Sequence, residues 1–211
     1  RVFSDAELGA LCDLANERQL LIVSDEVHAD IVRPGHRHLP FGSLGLQRSA
    51  TVFSPNKPFN TAGLPQASLV IPDAAVRADL QLFLNTVQLT HDHTFGAPAM
   101  MAAYRDCEDW LDELLLYIDA NHQRVADFFG EQLPAVRVWP AEATYLAWLD
   151  YRALGLDEAA VQDRLVNKGG VGLYPGSIFG PEGEGFLRMN IACPRERLDA
   201  GLQCIRTALL D

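Results

Sequence analysis

The chain has 211 residues, 48% hydrophobic and 21% charged, which is enough to bury a substantial core and to form one or two domains. Its 28 acidic residues outnumber its 17 basic residues, and the net charge of −11 argues against a surface for nucleic acid. No apolar run approaches the length of about 20 residues that spans a bilayer. We therefore expect no membrane or nucleic-acid partner and a cytoplasmic location.

The first predicted elements are a helix and a buried strand. Ser4 and Glu7 have the spacing of a capping box, and the apolar repeat that follows predicts a surface helix. Residues 20–23 form a near-continuous apolar run, which predicts a parallel strand buried on both faces. This strand ends at Asp25, an acid that we interpret either as a turn cap or as a binding residue.

The next strand leads to a lysine. Residues 50–53 are β-branched and aromatic, and the turn formers after them place Lys57 just beyond the carboxyl end of a strand. Open α/β sheets bind ligands at such ends, although most lysines are solvated surface charges. Residues 67–71 predict one more strand. Residues 74–88 predict a helix with five apolar residues facing inward: Val76, Leu80, Phe83, Leu84 and Val87.

The second half begins with the longest periodic segment, residues 108–131, which predicts a helix that bridges two domains. Strands at 136–138 and 145–149 and a helix at 157–165 follow it. The segment 174–181 is rich in glycine and proline, and we expect it to fold over the mouth of a site. Arg188 lies on a strand among apolar residues, where it needs an acidic partner or an anionic ligand. The last predicted helix covers residues 195–210.

Metal sites and disulfides are not expected. The pairs His36 and His38, and His91 and His93, lack third and fourth ligands at zinc-like spacing. The four cysteines have no CxxC pairing, and in a cytosolic protein we expect buried free thiols at Cys12, Cys107, Cys193 and Cys204.

Three motifs in order carry a family resemblance: residues 24–30 (SDEVHAD), 54–60 (SPNKPFN) and 186–195 (FLRMNIACPR). The chain resembles fold-type I pyridoxal phosphate (PLP) enzymes of the class I/II aminotransferase family, in particular the cystathionine β-lyase-like carbon–sulfur lyases. The resemblance implies an α/β fold in two parts. Residues 1–112 would be the C-terminal part of a large PLP-binding domain with a parallel-rich sheet. Residues 113–211 would form a small α+β C-terminal domain.

The resemblance also implies residue roles. Lys57 would bind PLP covalently and exchange the proton on the substrate's α-carbon, and Asp25 would keep the pyridine nitrogen protonated. His28 would lie near the phenolic oxygen of the cofactor, although a lone histidine is also common as a structural residue. Ser54 would help hold the phosphate. Arg188 would bind the α-carboxylate of the substrate.

The implied activity is β-elimination from cystathionine or cysteine S-conjugates, which yields a thiol, pyruvate and ammonia. A class I/II aminotransferase would use the same residues, and a non-catalytic binding or regulatory module is a third hypothesis. Members of the family are nearly twice as long, so we expect that the N-terminal half is missing here. We therefore expect the 211 residues alone to bind PLP weakly or not at all, and to be inactive. The resemblance implies a homodimer for the whole enzyme.

Overall fold

The computed structural model describes residues 1–89 and 93–210. The chain divides into two compact units, Arg1–Glu113 and Leu114–Asp211. The division falls within helix α4 (Glu108–Gln132), which matches the long helix expected from the sequence. The assignment of residues 1–112 and 113–211 to domains of a whole enzyme remains a prediction.

Helix α1 (Asp5–Arg18) opens the first unit, and its predicted capping box is confirmed. The Ser4 hydroxyl accepts from the Glu7 N–H at 3.3 Å, and the Glu7 carboxylate accepts from the Ser4 N–H at 2.8 Å. Two backbone donors at the start of the helix are thereby satisfied. Three buried residues of α1, Leu8, Cys12 and Ala15, pack with Phe41 and Leu46 in a small core cluster.

The capping box predicts an acid-sensitive helix start. Hydrogen bonds from Ser4, together with the Arg1 guanidinium, lower the pKa of Glu7 to about 2. A carboxylate whose pKa is lowered by folding stabilises the fold above its unfolded pKa, and this contribution is lost as the pH falls through the folded value. We expect Ser4→Ala to lower the melting temperature at pH 6, and to lower it less as the pH approaches 2. Calorimetry of both proteins across this pH range measures the difference in melting temperature. A difference that stayed constant with pH would contradict the prediction.

The sheet of the first unit has three strands, β1 (Ile22–Asp25), β2 (Ser49–Phe53) and β3 (Ser68–Val70), in that order. β1 and β2 are parallel, with Asp25 opposite Val52, and β3 is antiparallel to β2. The sheet is therefore mixed, and the expected parallel-rich character holds for one of its two pairings. The reason is that β2 and β3 are joined by turns without a crossover helix, so the chain reverses its direction.

One burial prediction for this unit is wrong, and another is right only in part. Strand β1 is not covered on both faces, because Val23 is 65% exposed while its neighbours Ile22 and Ser24 are partly buried. Helix α2 (Ala74–Thr86), capped by Asp73, has no buried residue. On its predicted inner face Val76, Leu80 and Leu84 are half-buried, whereas Phe83 is 60% exposed. Among the described residues no element covers these apolar surfaces, so the side chains remain exposed despite their hydrophobic pattern.

The second unit has an antiparallel sheet in the order β4-β5-β7-β6. Its strands are β4 (Arg137–Trp139), β5 (Leu146–Asp150), β6 (Tyr174–Pro175) and β7 (Phe186–Asn190). Helices α5 (Glu158–Asp163) and α6 (Arg195–Leu210) accompany it, while α3 (Gly96–Asp106) belongs to the first unit. The segment predicted as a plain loop, 174–181, in fact contains β6 and a short 3₁₀ turn, Gly176–Phe179.

One large core stabilises the second unit. The buried residues of β5 and β7, Ala147, Leu149, Leu187 and Met189, share one face of the sheet because alternate residues of a strand point the same way. They belong to one apolar cluster with buried residues of α4 and α6. The predicted inner face of α6 is confirmed, and its members are Leu198, Leu202, Ile205 and Leu209.

All four cysteines are free thiols, as expected, but only Cys12 is buried. Cys107 and Cys193 are half-buried and Cys204 is exposed, because Cys204 lies on the outer side of α6 rather than in its apolar stripe. Within residues 1–89 and 93–210, no helix combines the length and the hydrophobicity needed to cross a bilayer.

Candidate active site

The first unit brings two predicted site residues to neighbouring strand ends. Because β1 and β2 are parallel and in register from Ile22 and Ser49 onward, their carboxyl ends lie at the same edge of the sheet. Asp25 is the last residue of β1, and Ser54 directly follows β2. Lys57 lies three residues further, in the turn after that strand. This edge is where α/β sheets bind ligands.

Lys57 is exposed, and its ammonium group forms no hydrogen bond or ion pair with any other described residue. The backbone around it is constrained. The Phe59 N–H donates to the Pro55 carbonyl at 2.9 Å, and Asn60 adopts a left-handed conformation with φ of 54°. Asn is one of the few residues that tolerate this region. The turn therefore has a defined backbone conformation, and the Lys57 amine that it carries has no partner among the described residues.

Asp25 forms the turn cap that was one of the two interpretations proposed for it, and its role as a binding residue stays a prediction. Its Oδ1 accepts from the Val27 N–H at 3.2 Å, which caps the turn after β1. Its Oδ2 has no hydrogen bond to the rest of the described chain, and the side chain is exposed. One carboxylate oxygen is thus structural, and the other is available to a ligand.

Glu26 is a buried acid that sequence reasoning did not single out. Its Oε1 accepts from the Ser24 hydroxyl at 3.0 Å and from the Phe41 N–H at 2.7 Å, and its Oε2 is 2.9 Å from His38 Nε2. His38 therefore pairs with Glu26 rather than with a metal-ligand partner. These contacts tie the end of β1 to residues 38–41, beside Asp25.

We predict that Glu26→Ala destabilises the protein by about 2 to 3 kcal/mol, because the buried N–H of Phe41 loses its acceptor and Ser24 its partner. Urea unfolding measures the change. Glu17→Ala is the matched control, since Glu17 is exposed and forms an ion pair with the adjacent exposed Arg18. Its effect should stay within about 0.5 kcal/mol. Equal effects of the two substitutions would contradict a structural role for Glu26.

The Ser54 hydroxyl is almost completely buried and already engaged. It donates to the Gln66 carbonyl at 2.6 Å and accepts from the Asn56 N–H at 3.1 Å. A serine hydroxyl has one proton to donate. The predicted phosphate contact of Ser54 therefore requires its hydrogen to turn away from Gln66. His28 is half-buried in the turn after β1, where its carbonyl accepts from the Ile31 N–H at 3.0 Å.

An aromatic cluster supports the lysine turn, and sequence reasoning missed it. Phe59, two residues after Lys57, packs edge-on against Tyr104 of α3 at 5.5 Å between ring centroids and stacks on Trp110 at 6.0 Å. The Tyr104 hydroxyl donates to Asp30 at 3.0 Å. Burial, together with the Asp30 carboxylate, raises the pKa of Tyr104, so this donor stays protonated. The contacts hold the turn that carries Lys57.

Arg188 lies on β7 of the second unit. Its Cζ is 4.7 Å from the centroids of two rings, Tyr174 and Phe179. The ion pair considered from the sequence is not formed with any described residue. His36 and His38 belong to no metal-binding cluster, since the described residues contain no group of three or more potential ligands. His91 lies outside the described residues, so the second histidine pair is not described.

The comparison with known proteins settles the family. The sequence pattern of "Aminotransferase class I and II" matches residues 1–205. The chain belongs to the class I and II aminotransferase family.

Named relatives include carbon–sulfur lyases. Cystathionine beta-lyase PatB of Bacillus subtilis is 40% identical over 99% of this chain. The structures of cystalysin from Treponema denticola, which contains PLP, and of the PLP-bound C–S lyase from Staphylococcus hominis superpose with TM-scores of 0.93 and 0.91, at 33% and 34% identity over 100% of the chain. The chain spans about 55% of the length of PatB and 54% and 55% of the two structures.

The residues at the strand ends fit PLP by their chemistry. The cofactor has an aldehyde that an amine can bind, and the Lys57 amine pairs with nothing in residues 1–89 and 93–210. It also has a basic ring nitrogen, and the unengaged Oδ2 of Asp25 is a suitable acceptor for its proton.

Proposed function

We propose that the protein containing this chain is a PLP-dependent carbon–sulfur β-lyase that acts on cystathionine or cysteine S-conjugates. The observation that carries the proposal is the Lys57 amine, which pairs with no described residue and lies on the turn after β2, beside the strand that ends in Asp25. The names of PatB, cystalysin and the Staphylococcus lyase support the choice of lyase within the family.

Bound PLP supplies an electron-accepting ring that stabilises negative charge at the α-carbon of an amino acid. In our proposal Lys57 holds the cofactor until substrate arrives and then, as a free amine, removes the α-proton. Asp25 keeps a proton at the ring nitrogen. His28 and Ser54 would lie near the phenolic oxygen and the phosphate, and Arg188 would bind the α-carboxylate.

Loss of the α-proton allows the β-carbon–sulfur bond to break, with the electron pair leaving on sulfur. Water then releases pyruvate and ammonia. In an aminotransferase the proton would return to the cofactor instead, and the same residues would serve. Family membership keeps this second activity open, because the matched family includes aminotransferases.

Product analysis tests the proposal. The gene product that contains this chain, at the length of the relatives, is supplied with PLP and cystathionine. A lyase releases pyruvate and ammonia in equal amounts without an added keto acid. An aminotransferase requires a keto acid and releases no free ammonia. Absence of both activities would favour the non-catalytic module.

We also propose that the whole protein is a cytoplasmic homodimer. The four free thiols support the location, because reducing compartments preserve free cysteines. The dimer follows from the family resemblance. Light scattering after size-exclusion chromatography measures the assembly, and a monomer at micromolar concentration would contradict it.

A further inference from the structure

Arg188 lies within a layer of aromatic side chains on one face of the second unit's sheet. Trp148 on β5 and Tyr174 on β6 are directly opposite Arg188 in the strand register. Directly paired residues share a face of the sheet, and so does Phe186, two residues before Arg188 on the same strand. With Phe179 from the following 3₁₀ turn, these rings form what we call the aromatic layer: Trp148, Tyr174, Phe179 and Phe186.

Three of the four rings of the layer contact one another, and Tyr174 contacts Arg188. Phe179 contacts Trp148 edge-on at 5.8 Å, and Trp148 stacks on Phe186 at 5.5 Å with an interplanar angle of 17°. Phe179 is therefore fixed by a neighbouring ring while it also contacts the Arg188 guanidinium. A cation near aromatic faces is attracted by their negative potential.

The backbone that carries Phe179 is also constrained. Gly176 and Gly183 approach so closely that a Cβ on either would collide with the backbone of the other. The Ser177 hydroxyl donates to Glu158 at 2.6 Å, which ties the same turn to α5. The position of Phe179 therefore depends on packed glycines rather than on a mobile loop.

The aromatic layer leaves the hydrogen-bonding capacity of Arg188 unused. A guanidinium has five N–H donors, and no described residue accepts a hydrogen bond from this one. Aromatic rings restrict the long side chain without neutralising its charge. A planar anion with two oxygens, such as a carboxylate, matches the free donors.

We infer that Tyr174 and Phe179 are positioning residues that hold the Arg188 guanidinium ready for a carboxylate. The inference rests on the proposed role of Arg188 in binding the substrate carboxylate. It adds that the affinity for the carboxylate depends on two rings that do not themselves bind the anion. A purely structural role for the rings would change the stability and leave that affinity unchanged.

The test is an NMR titration of the ¹⁵N-labelled chain with acetate, followed at the arginine Nε–Hε resonances. We expect acetate to shift the Arg188 signal with a saturating curve, and Phe179→Leu and Tyr174→Leu each to weaken this binding about fivefold. Tyr174→Phe, which keeps the ring, should retain the wild-type affinity. Trp139→Leu is the matched control, because Trp139 makes the same kind of contact with Arg137, at 4.7 Å, on edge strand β4.

The outcomes separate the two proposals. If Arg188→Gln removes the response but both leucine variants bind acetate like the wild type, the positioning inference is wrong and the carboxylate role of Arg188 stands. If acetate moves the wild-type Arg188 signal no more than that of Arg137, both are wrong. Circular dichroism checks the folding of each variant, and Tyr174→Leu decides the question if Phe179→Leu does not fold.

Discussion

Lys57→Ala is expected to abolish covalent capture of PLP and to lower β-elimination by a factor on the order of 10² to 10⁴ from the loss of acid–base catalysis alone. The physical reason is that Lys57 supplies both the amine that binds the cofactor and the base at the α-carbon. Borohydride reduction of the PLP-loaded protein, followed by peptide mass spectrometry, measures the capture. Pyruvate release from cystathionine measures the activity.

The chain offers a natural control for this experiment, because Lys57 and Lys168 are its only two lysines. Lys168 is exposed at the end of the π-helical segment Arg164–Lys168, so it follows a helix and not a strand. Lys168→Ala should therefore leave capture and turnover unchanged. PLP found on Lys168, or full activity of Lys57→Ala, would overturn the proposed site.

The same experiment tests the expectation about the 211 residues alone. We expect borohydride to trap much less PLP on Lys57 in this chain than in a gene product of the relatives' length. Equal trapping in the two proteins would show that the described strand ends suffice to hold the cofactor.

Phe129→Ala is expected to have the largest effect on stability, about 3 to 5 kcal/mol. Phe129 is completely buried on α4, and its ring packs edge-to-face against Phe128 at 5.8 Å in the core of the second unit. Truncation removes the ring from this close-packed cluster and leaves a cavity that the surrounding core fills only partly. The free energy of unfolding from urea titration, with tryptophan fluorescence as the signal, measures the change.

Leu116→Ala is the matched control for this substitution, because Leu116 lies on the same helix but is 64% exposed. It makes the same kind of truncation without opening a core cavity, and we expect a change within about 0.5 kcal/mol. A loss of less than about 1 kcal/mol for Phe129→Ala would mean that the core around α4 is not packed as described.

Local sequence signals predicted local structure well. The capping box at Ser4, the long helix α4 and the inner face of α6 were all predicted from spacing, because each depends on residues within a few turns of one another. The turn after β2, with its lysine, was likewise predicted from a short motif. Apolar patterns predicted burial less well, since Val23 and Phe83 are exposed.

The missed features join residues far apart in sequence. Glu26 contacts Phe41 and His38, and the lysine turn packs through Phe59 on Tyr104 and Trp110. Hydrophobic periodicity cannot predict such pairs. It shows which face of a helix or strand is apolar, but not which other element packs against that face. The one signal for Glu26 in the sequence was an acid close after a predicted strand.

The sequence alone was sufficient to predict the helices, most strands and the candidate lysine and acid. The signals were hydrophobic periodicity, helix caps and strand-end motifs, which depend on residues close together along the chain. The mixed strand directions, the engagement of the Ser54 hydroxyl and the rings around Arg188 became apparent only in three dimensions. Each of these results from the chain folding back on itself, and the packing that selects one such arrangement is not encoded in any single segment.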